Sequence, residues 1–393
     1  MFATRNPQLA TCNCQLKILK IILTVTNDLT YDQRMIRICT SLVKAGFEVT
    51  LVGRERDFSK ALTAQSFQQK RLRCFLNQGK FFYIEYNLRL FFYLLFAKFD
   101  LVCSIDLDTI LAGFYSSKIR NKICIYDAHE YFTEVPEVVE RPNIQRIWQW
   151  VANRTIPNLK YCYTVCESLA VVFKQEYGTT FEVIRNVPFK VENEFVLSNN
   201  SSQKSIILYQ GVLNDGRGLE EAIGAMQYVE NAELWLAGEG DLSKELRQLA
   251  IDLKVESKVN FLGYITPIEL KKVTQQATIG LNLLQNKGLN YYYSLANKAF
   301  DYIQNGKPSI NMKFPEYERL NTQFNTFILI ENLQPKALAK AINELLTDKN
   351  LYKQFHQNCL IAKEVLNWEN EEEKLIAFYE GIRKSIIEKR DLC

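Results

Sequence analysis

The stretch that decides the fold is residues 122–134, KICIYDAHEYFTE. Its first half, KICIY, is a short apolar run rich in β-formers, and it breaks abruptly into Asp127-Ala128-His129-Glu130. An apolar run of this kind, without polar alternation, is the mark of a strand buried on both faces in a parallel sheet. The polar cluster then sits at the strand's carboxyl end, where open α/β sheets carry their ligands. The chain has only two histidines, and one of them is placed here between two acids.

Reading outward, short apolar runs alternate with helical patterns in two series. The first contains LKILKIILTV (16–25), EVTLVG (48–53), FDLVCSI (99–105), KICIYD (122–127) and KYCYTV (160–165) as strands. After the first run, Met35, Ile38 and Leu42 fall at helical spacing, and Gly46 is placed as a C-cap. Asn143 can cap a helix that carries Ile144, Ile147, Trp148 and Val151 on one face. A polar Asn/Ser cluster after Pro188 marks a break. The second series runs SIILYQG (205–211), AELWLAG (232–238), KVNFLG (258–263), IGLNLL (279–284), PSINM (308–312) and TFILI (326–330). From Pro335 the pattern is helical to the end. Such alternation predicts an α/β protein of two doubly wound, Rossmann-like domains facing across a cleft. The expected divisions are a tail (1–15), a first domain (16–188), a linker (189–204), a second domain (205–365) and a C-terminal helix (366–393).

Composition narrows the function. A length of 393 residues favours two domains, and a net charge of +4 with no basic tract argues against nucleic acid as a partner. None of the ten cysteines forms a Cys-x-x-Cys pair, and most lie in apolar runs, which suits reduced, buried thiols in a cytoplasmic protein. The first residues show no apolar core of a secretory signal. Residues 80–99, KFFYIEYNLRLFFYLLFAKF, are the most apolar stretch, but Glu85 and Arg89 leave no uninterrupted run long enough to span a membrane. Two readings stay open for it: a helix buried between sheet and solvent, or a basic-flanked aromatic surface in peripheral contact with the inner face of a membrane.

Two loops of the second series are built for anions. In YQGVLNDGRGLEEAI, Gly211, Gly216 and Gly218 separate a strand from a helix, with Arg217 beside the helix start. Glycines let amides approach a phosphate, and a helix start favours negative charge. A glycine-rich turn with a surface arginine is the plainer alternative. In GLNYYYSLANKAFDYIQNGKPSI (288–310), Ser294 can cap a helix starting near Leu295, with Lys298 in its first turn and Asp301 beyond it. Amides at Ser294, Leu295 and Ala296 with Lys298 would suit a diphosphate, and Asp301 sugar hydroxyls. The plainer alternative is a capped surface helix with an i,i+3 ion pair. Gly238-x-Gly240, flanking Glu239, lacks the third glycine of a dinucleotide fingerprint, so NAD is a poor fit. Asp106 and Asp108 read as strand-end and helix-cap residues, and no zinc spacing is present, so no metal is expected.

In order along nearly the whole chain, these segments resemble the group 1 glycosyltransferases of the GT-B fold, of the retaining, family 4 type. YDAHE is similar to that family's cleft histidine and acid, LYQGVLNDGRGLEEAI to its phosphate loop, LAGEGD to its nucleotide-binding edge, and SLANKAFDYIQNGKPSI to its signature helix. LNWENEEEKLIAFYEGI resembles its C-terminal helix that crosses back to the first domain. The resemblance implies transfer of a sugar from a nucleotide-diphosphate donor, without metal or other cofactor, to a glycan, lipid-linked or small-molecule acceptor, as in polysaccharide biosynthesis. His129 and Glu130 would be the catalytic pair, and Gly211, Arg217, Gly238, Glu239, Tyr293, Ser294, Leu295, Ala296, Lys298 and Asp301 the donor site. Val212 stands where the family often has an arginine, and Tyr293 where it commonly has the first of two glutamates. A nucleotide-sugar 2-epimerase of the same architecture and a non-catalytic nucleotide-sugar binder are the alternatives.

Overall fold

A computed structural model describes residues 18–30, 32–57, 59–76, 78–192 and 204–391. The expected N-terminal tail, most of the expected linker, and Cys12, Cys14 and Cys393 lie outside the described residues. The first sheet comprises β1 (Lys20–Thr24), β2 (Glu48–Glu55), β3 (Gln68–Arg73), β4 (Leu101–Ile105), β5 (Ile123–Ala128), β6 (Tyr161–Thr164) and β7 (Glu182–Val183). Its strand order is β3-β2-β1-β4-β5-β6-β7, every pair parallel. The second comprises β8 (Ser205–Gln210), β9 (Ala232–Ala237), β10 (Val259–Gly263), β11 (Ile279–Asn282), β12 (Ser309–Met312) and β13 (Phe327–Ile330), ordered β10-β9-β8-β11-β12-β13, again all parallel.

In each sheet the order reverses beside the first strand, between β1 and β4 and between β8 and β11. The loops leaving those strands diverge to opposite faces and open a crevice at the carboxyl ends. Both sheets therefore carry a ligand crevice at the same relative place, and the fold is the GT-B arrangement of two Rossmann-like halves. The central strands are buried throughout, as their unbroken apolar sequences require.

Two strands escaped the pattern. β3 reads QQKRLR and lies at the sheet edge, so its polar alternation reflects solvent on its open side. β7 is two residues long and leaves no periodicity to read. The helix Pro142–Thr155 begins at Pro142, with Arg141 at its N-cap position, so Asn143 lies within its first turn and does not cap it. A proline at the first helical position has no amide to satisfy, and that replaces the expected cap. The seven described cysteines are all free and buried.

The C-terminal helix, Trp368–Asp391, packs on the first sheet's side of the molecule. Trp368, Leu375, Tyr379 and Ile382 share one apolar core with β1, β2 and the helix Gln33–Lys44. Trp368 is wholly buried, its Nε1 donates to Ser41 Oγ at 3.1 Å, and its amide donates to the Pro188 carbonyl at 2.8 Å. Replacing it with alanine removes a large side chain from a close-packed core, at a cost of about 3–5 kcal/mol. Trp368→Phe keeps a ring and loses mainly one hydrogen bond, about 1 kcal/mol. Urea unfolding should rank wild type above Trp368→Phe and both well above Trp368→Ala; equal midpoints for all three would contradict this role of the helix.

Candidate active site

The first wall of the crevice is organised from β5. Asp127 is fully buried at its carboxyl end, where Arg34 from the helix Gln33–Lys44 meets it with Nη2 at 3.0 Å from Oδ1. Asp32 holds the start of that helix by accepting the Met35 amide at 3.0 Å, which fixes where Arg34 projects. Arg34 Nε also lies 2.8 Å from His129 Nε2, and the same nitrogen lies 2.9 Å from Asp127 Oδ2. The arginine can only donate and the carboxylate only accept, so the two bonds compete for one ring atom. A neutral ring protonated on Nδ1 accepts the arginine's hydrogen bond at Nε2; a ring protonated on Nε2 instead donates a hydrogen bond to Asp127. Asp106 Oδ2 stands 3.7 Å from Nδ1 on the other side. Burial pushes the Asp127 carboxyl up, but Arg34 and His129 more than offset this and hold it below the usual range.

Three more acids face this wall. Asp106 has a positive φ of 54°, uncommon for a residue with a side chain, at the turn from β4 into the helix Leu107–Ile119. It occupies that helix's N-cap position yet does not cap it. Its Oδ1 instead accepts the His129 amide at 2.8 Å, so the expected helix-cap role gives way to a bridge between two strand ends. Asp108 accepts from Thr26 Oγ1 at 2.6 Å. Burial pushes Asp108 to about 6; burial with the nearby Glu130 and Asp108 charges raises Asp106; and burial with Asp108 and Glu137 pushes Glu130 to about 7. Among the described residues, no group of histidines, cysteines and acids has the geometry to hold a metal ion.

The second wall is organised from β8. Gly211 and Gly238 leave their strands at φ 134° and 150°, and a Cβ on Gly238 would lie 1.9 Å from the Gly211 carbonyl oxygen. Only glycine permits that approach. Lys298 Nζ sits over the Tyr209 ring, 3.7 Å from its centroid, and a Cβ on Gly211 would lie 3.3 Å from it. Arg217 lies over the Tyr291 ring at 5.0 Å, with Nε buried and unbonded. Neither cation has a carboxylate within ion-pair distance among the described residues. Burial and the Arg217 charge push the Lys298 ammonium well below its ordinary value. Two cations thus converge on a glycine-lined loop without an anion between them.

The signature helix departs from expectation. It runs Asn297–Gln304 with Ala296 at the N-cap position, and Ser294 donates to the Tyr291 carbonyl at 2.9 Å without capping it. A turn of helix at Leu289–Tyr292 intervenes and claims the serine. The Ala296 amide donates to Tyr317 Oη at 2.9 Å and the Ser294 amide to Tyr291 O at 3.3 Å, so these two are not free for a ligand. Leu295 is buried. Asp301 accepts from Gln210 Nε2 at 2.8 Å, and burial pushes it to about 6 despite the Arg37 charge from the first domain. Glu239 is exposed and paired with Arg247 at 3.1 Å, at the rim. Val212 is exposed, and its carbonyl accepts from Tyr209 Oη at 2.9 Å.

The walls touch at one end. The Tyr131 amide donates to Asn290 Oδ1 at 2.9 Å, Cys166 Sγ to the Tyr293 carbonyl at 3.2 Å, and the Ser168 amide to Glu316 Oε1 at 2.6 Å. Asn290 Nδ2 also reaches Glu130 Oε2 at 3.4 Å. Sequence reading missed Arg34, Arg37, Gln210 and Asn290. The first two had a signal: charged residues three apart beside the buried Met35 and Ile38 of an amphipathic helix.

Comparisons with known proteins agree with this geometry. Residues 191–359 match the model of the family described as Glycosyl transferases group 1. An uncharacterized glycosyltransferase of Methanocaldococcus jannaschii is 37% identical over 79 residues, a match spanning 19% of this chain and only 20% of that relative's length. Sucrose-phosphate synthase of Thermosynechococcus elongatus superposes with a TM-score of 0.77 at 16% identity, covering 93% of this chain and 100% of that one. The Anabaena protein HepE in complex with UDP-glucose gives 0.73 at 16% identity, covering 92% and 100%. The second domain, over residues 191–359, thus matches the group 1 glycosyl transferases, and both halves share the GT-B frame of the solved structures.

Proposed function

We propose that this protein is a retaining glycosyltransferase that takes a sugar from a nucleotide-diphosphate donor and delivers it to an acceptor bound by the first domain. The observation that carries the reading is the unpartnered pair Lys298 and Arg217 beside Gly211. A desolvated lysine and a half-buried arginine without a counter-ion form a site for a dianion, and stabilising a departing nucleoside diphosphate is what sugar transfer requires. Asp301, beside Gln210, would accept ribose hydroxyls. The complex of HepE with UDP-glucose is in keeping with a donor of this class.

His129 would contact the donor sugar and place its anomeric carbon, with Arg34 and Asp127 fixing the ring. As the bond to the diphosphate lengthens, a leaving phosphate oxygen takes the acceptor's proton and the acceptor oxygen bonds the same face of the anomeric carbon. Glu130, which burial and the neighbouring acids raise to about 7, would hydrogen-bond the sugar. The cationic pair supplies the charge that a metal would otherwise bring, so the reaction is metal-independent in this reading. The protein would work in the cytoplasm, on a glycan, lipid-linked or small-molecule acceptor.

Lys298→Ala and Arg217→Ala should each weaken binding of a nucleoside diphosphate by about 1.5–3 kcal/mol, the value of a hydrogen bond to a charged group. Calorimetric titration reads this, and unchanged affinity in both variants would sink the donor assignment. For His129→Ala, kcat should fall about 10²-fold with nucleoside diphosphate affinity intact; a normal kcat in a less stable protein would make the histidine structural. Donor binding with neither transfer nor hydrolysis would mark a non-catalytic binder.

Glu130 gives a pH test. Its carboxyl is raised from 4.5 to about 7 in the native state. Below the lower value the group is protonated whether the chain is folded or not, so it costs nothing. Between the two values the unfolded chain ionises first and native stability falls as pH rises, and above the upper value the loss is complete. Glu130→Gln should therefore raise Tm by about 2–4 °C at pH 8 and by much less at pH 4.5. An equal shift at both values would show that its charge is not the cause.

A further inference from the structure

The helix Gly79–Phe96 has two apolar faces. One buries Phe82, Tyr86, Leu90 and Leu94 in the core. The other presents Phe81, Ile84, Leu88, Phe92 and Phe96 to solvent, a continuous stripe at i,i+3 and i,i+4 spacing, with Phe96 84% exposed. Phe75, 83% exposed in the preceding turn, extends the apolar surface. Monomeric proteins rarely expose a patch of this size without a use for it.

The charge around the stripe says what covers it. Residues 70–98 hold six basic side chains and one acid, a net +5 against +4 for the whole chain, so everything outside this segment is net negative. The acid, Glu85, is already engaged: it accepts the Phe75 and Leu76 amides at 2.9 and 2.8 Å and pairs with Arg89 at 2.7 Å. Lys70 and Arg73 on the edge strand β3, Lys80 in the helix's first turn and Lys98 just past its end are all exposed. A second copy of the same face would set +5 against +5, which like-charge repulsion disfavours. At 18 residues the helix is about 27 Å long, and no described helix is long and apolar enough to cross a bilayer. An aromatic stripe bordered by lysine and arginine is the make-up of a helix lying in the plane of a lipid interface.

We propose that this face docks on an anionic lipid surface. The helix runs beside the crevice: Tyr86 Oη donates to the Val25 carbonyl at 2.5 Å and Asn87 Nδ2 to the Asp108 carbonyl at 2.7 Å, both just beyond strand ends that form the crevice floor. Docking therefore sets the acceptor side of the crevice against the lipid. The corollary that the acceptor is lipid-linked rests on the glycosyltransferase reading; the docking does not.

The test is co-sedimentation with vesicles of phosphatidylcholine alone or with phosphatidylglycerol. Wild type should bind the anionic vesicles at least 10-fold more tightly, with binding falling as salt rises. Phe81→Ser/Leu88→Ser/Phe92→Ser should lose at least 10-fold in that binding while keeping nucleoside diphosphate affinity. The charge variant Lys80→Glu/Lys98→Glu, which leaves every apolar side chain of the stripe in place, should lose about as much, since each basic residue removed costs about 5-fold. Indifference of the wild type to anionic lipid, or wild-type binding by both variants, overturns the proposal. A lipid-free dimer that the serine variant converts to monomer also overturns it and assigns the stripe to a second copy. Nucleoside diphosphate binding, measured on the same samples, reports separately on the reaction.

Discussion

The crevice depends on one buried ion pair, Arg34 with Asp127. Both side chains are almost wholly out of water, and removing either partner would leave an uncompensated charge inside the first sheet. The pair joins the first helix to the end of β5, two elements more than 90 residues apart in sequence, and reaches the Ile184 carbonyl at the base of the interdomain passage at 3.5 Å. A well-packed apolar pair would hold these elements at least as firmly. What an ion pair adds is direction: the guanidinium's Nε–H points at His129 and restricts the ring to a defined place at the crevice wall.

The opposite wall is built on the reverse principle. There Lys298 is desolvated and Arg217 half-buried, neither has a carboxylate at ion-pair distance, and aromatic faces of Tyr209 and Tyr291 hold their side chains. Like charges so placed raise the free energy of the ligand-free protein, and three acids with raised titration points do the same on the first wall. Such arrangements persist where a ligand relieves them. Contacts at Asn290, Tyr293 and Glu316 keep the two walls in register at one end, so the strained groups face each other instead of bulk water.

The alternation of apolar strand and amphipathic helix made both sheets readable, because strands buried on two faces carry no polar residues to obscure them. β3 was unreadable for the opposite reason: QQKRLR alternates like a surface segment because it is one. The glycines at 211 and 238 and the cation at 298 could be named from spacing, since a tight strand-to-helix turn has few chemical solutions. Ser294 looked like a cap because a serine before a helical pattern usually is; only the short helical turn ahead of it, invisible in a YYY run, shows that its hydroxyl is already engaged. Gln210 and Arg37 escaped because their roles depend on contacts distant in sequence: Gln210 at the end of β8 bonds Asp301, and Arg37 adds its charge from the first domain.

The returning C-terminal helix carries a consequence for synthesis. Trp368, Leu375, Tyr379 and Ile382 complete the core that β1 and β2 begin, yet they leave the ribosome after every strand of both sheets. At about 5–20 residues per second, the nascent first domain waits roughly 10–40 s with an apolar groove open along its first helix. The second domain has all its strands before the returning helix appears, so it is free to close first although it comes second in the gene. The usual order of vectorial folding is thereby inverted: the first domain is finished by a helix made after the second domain's strands.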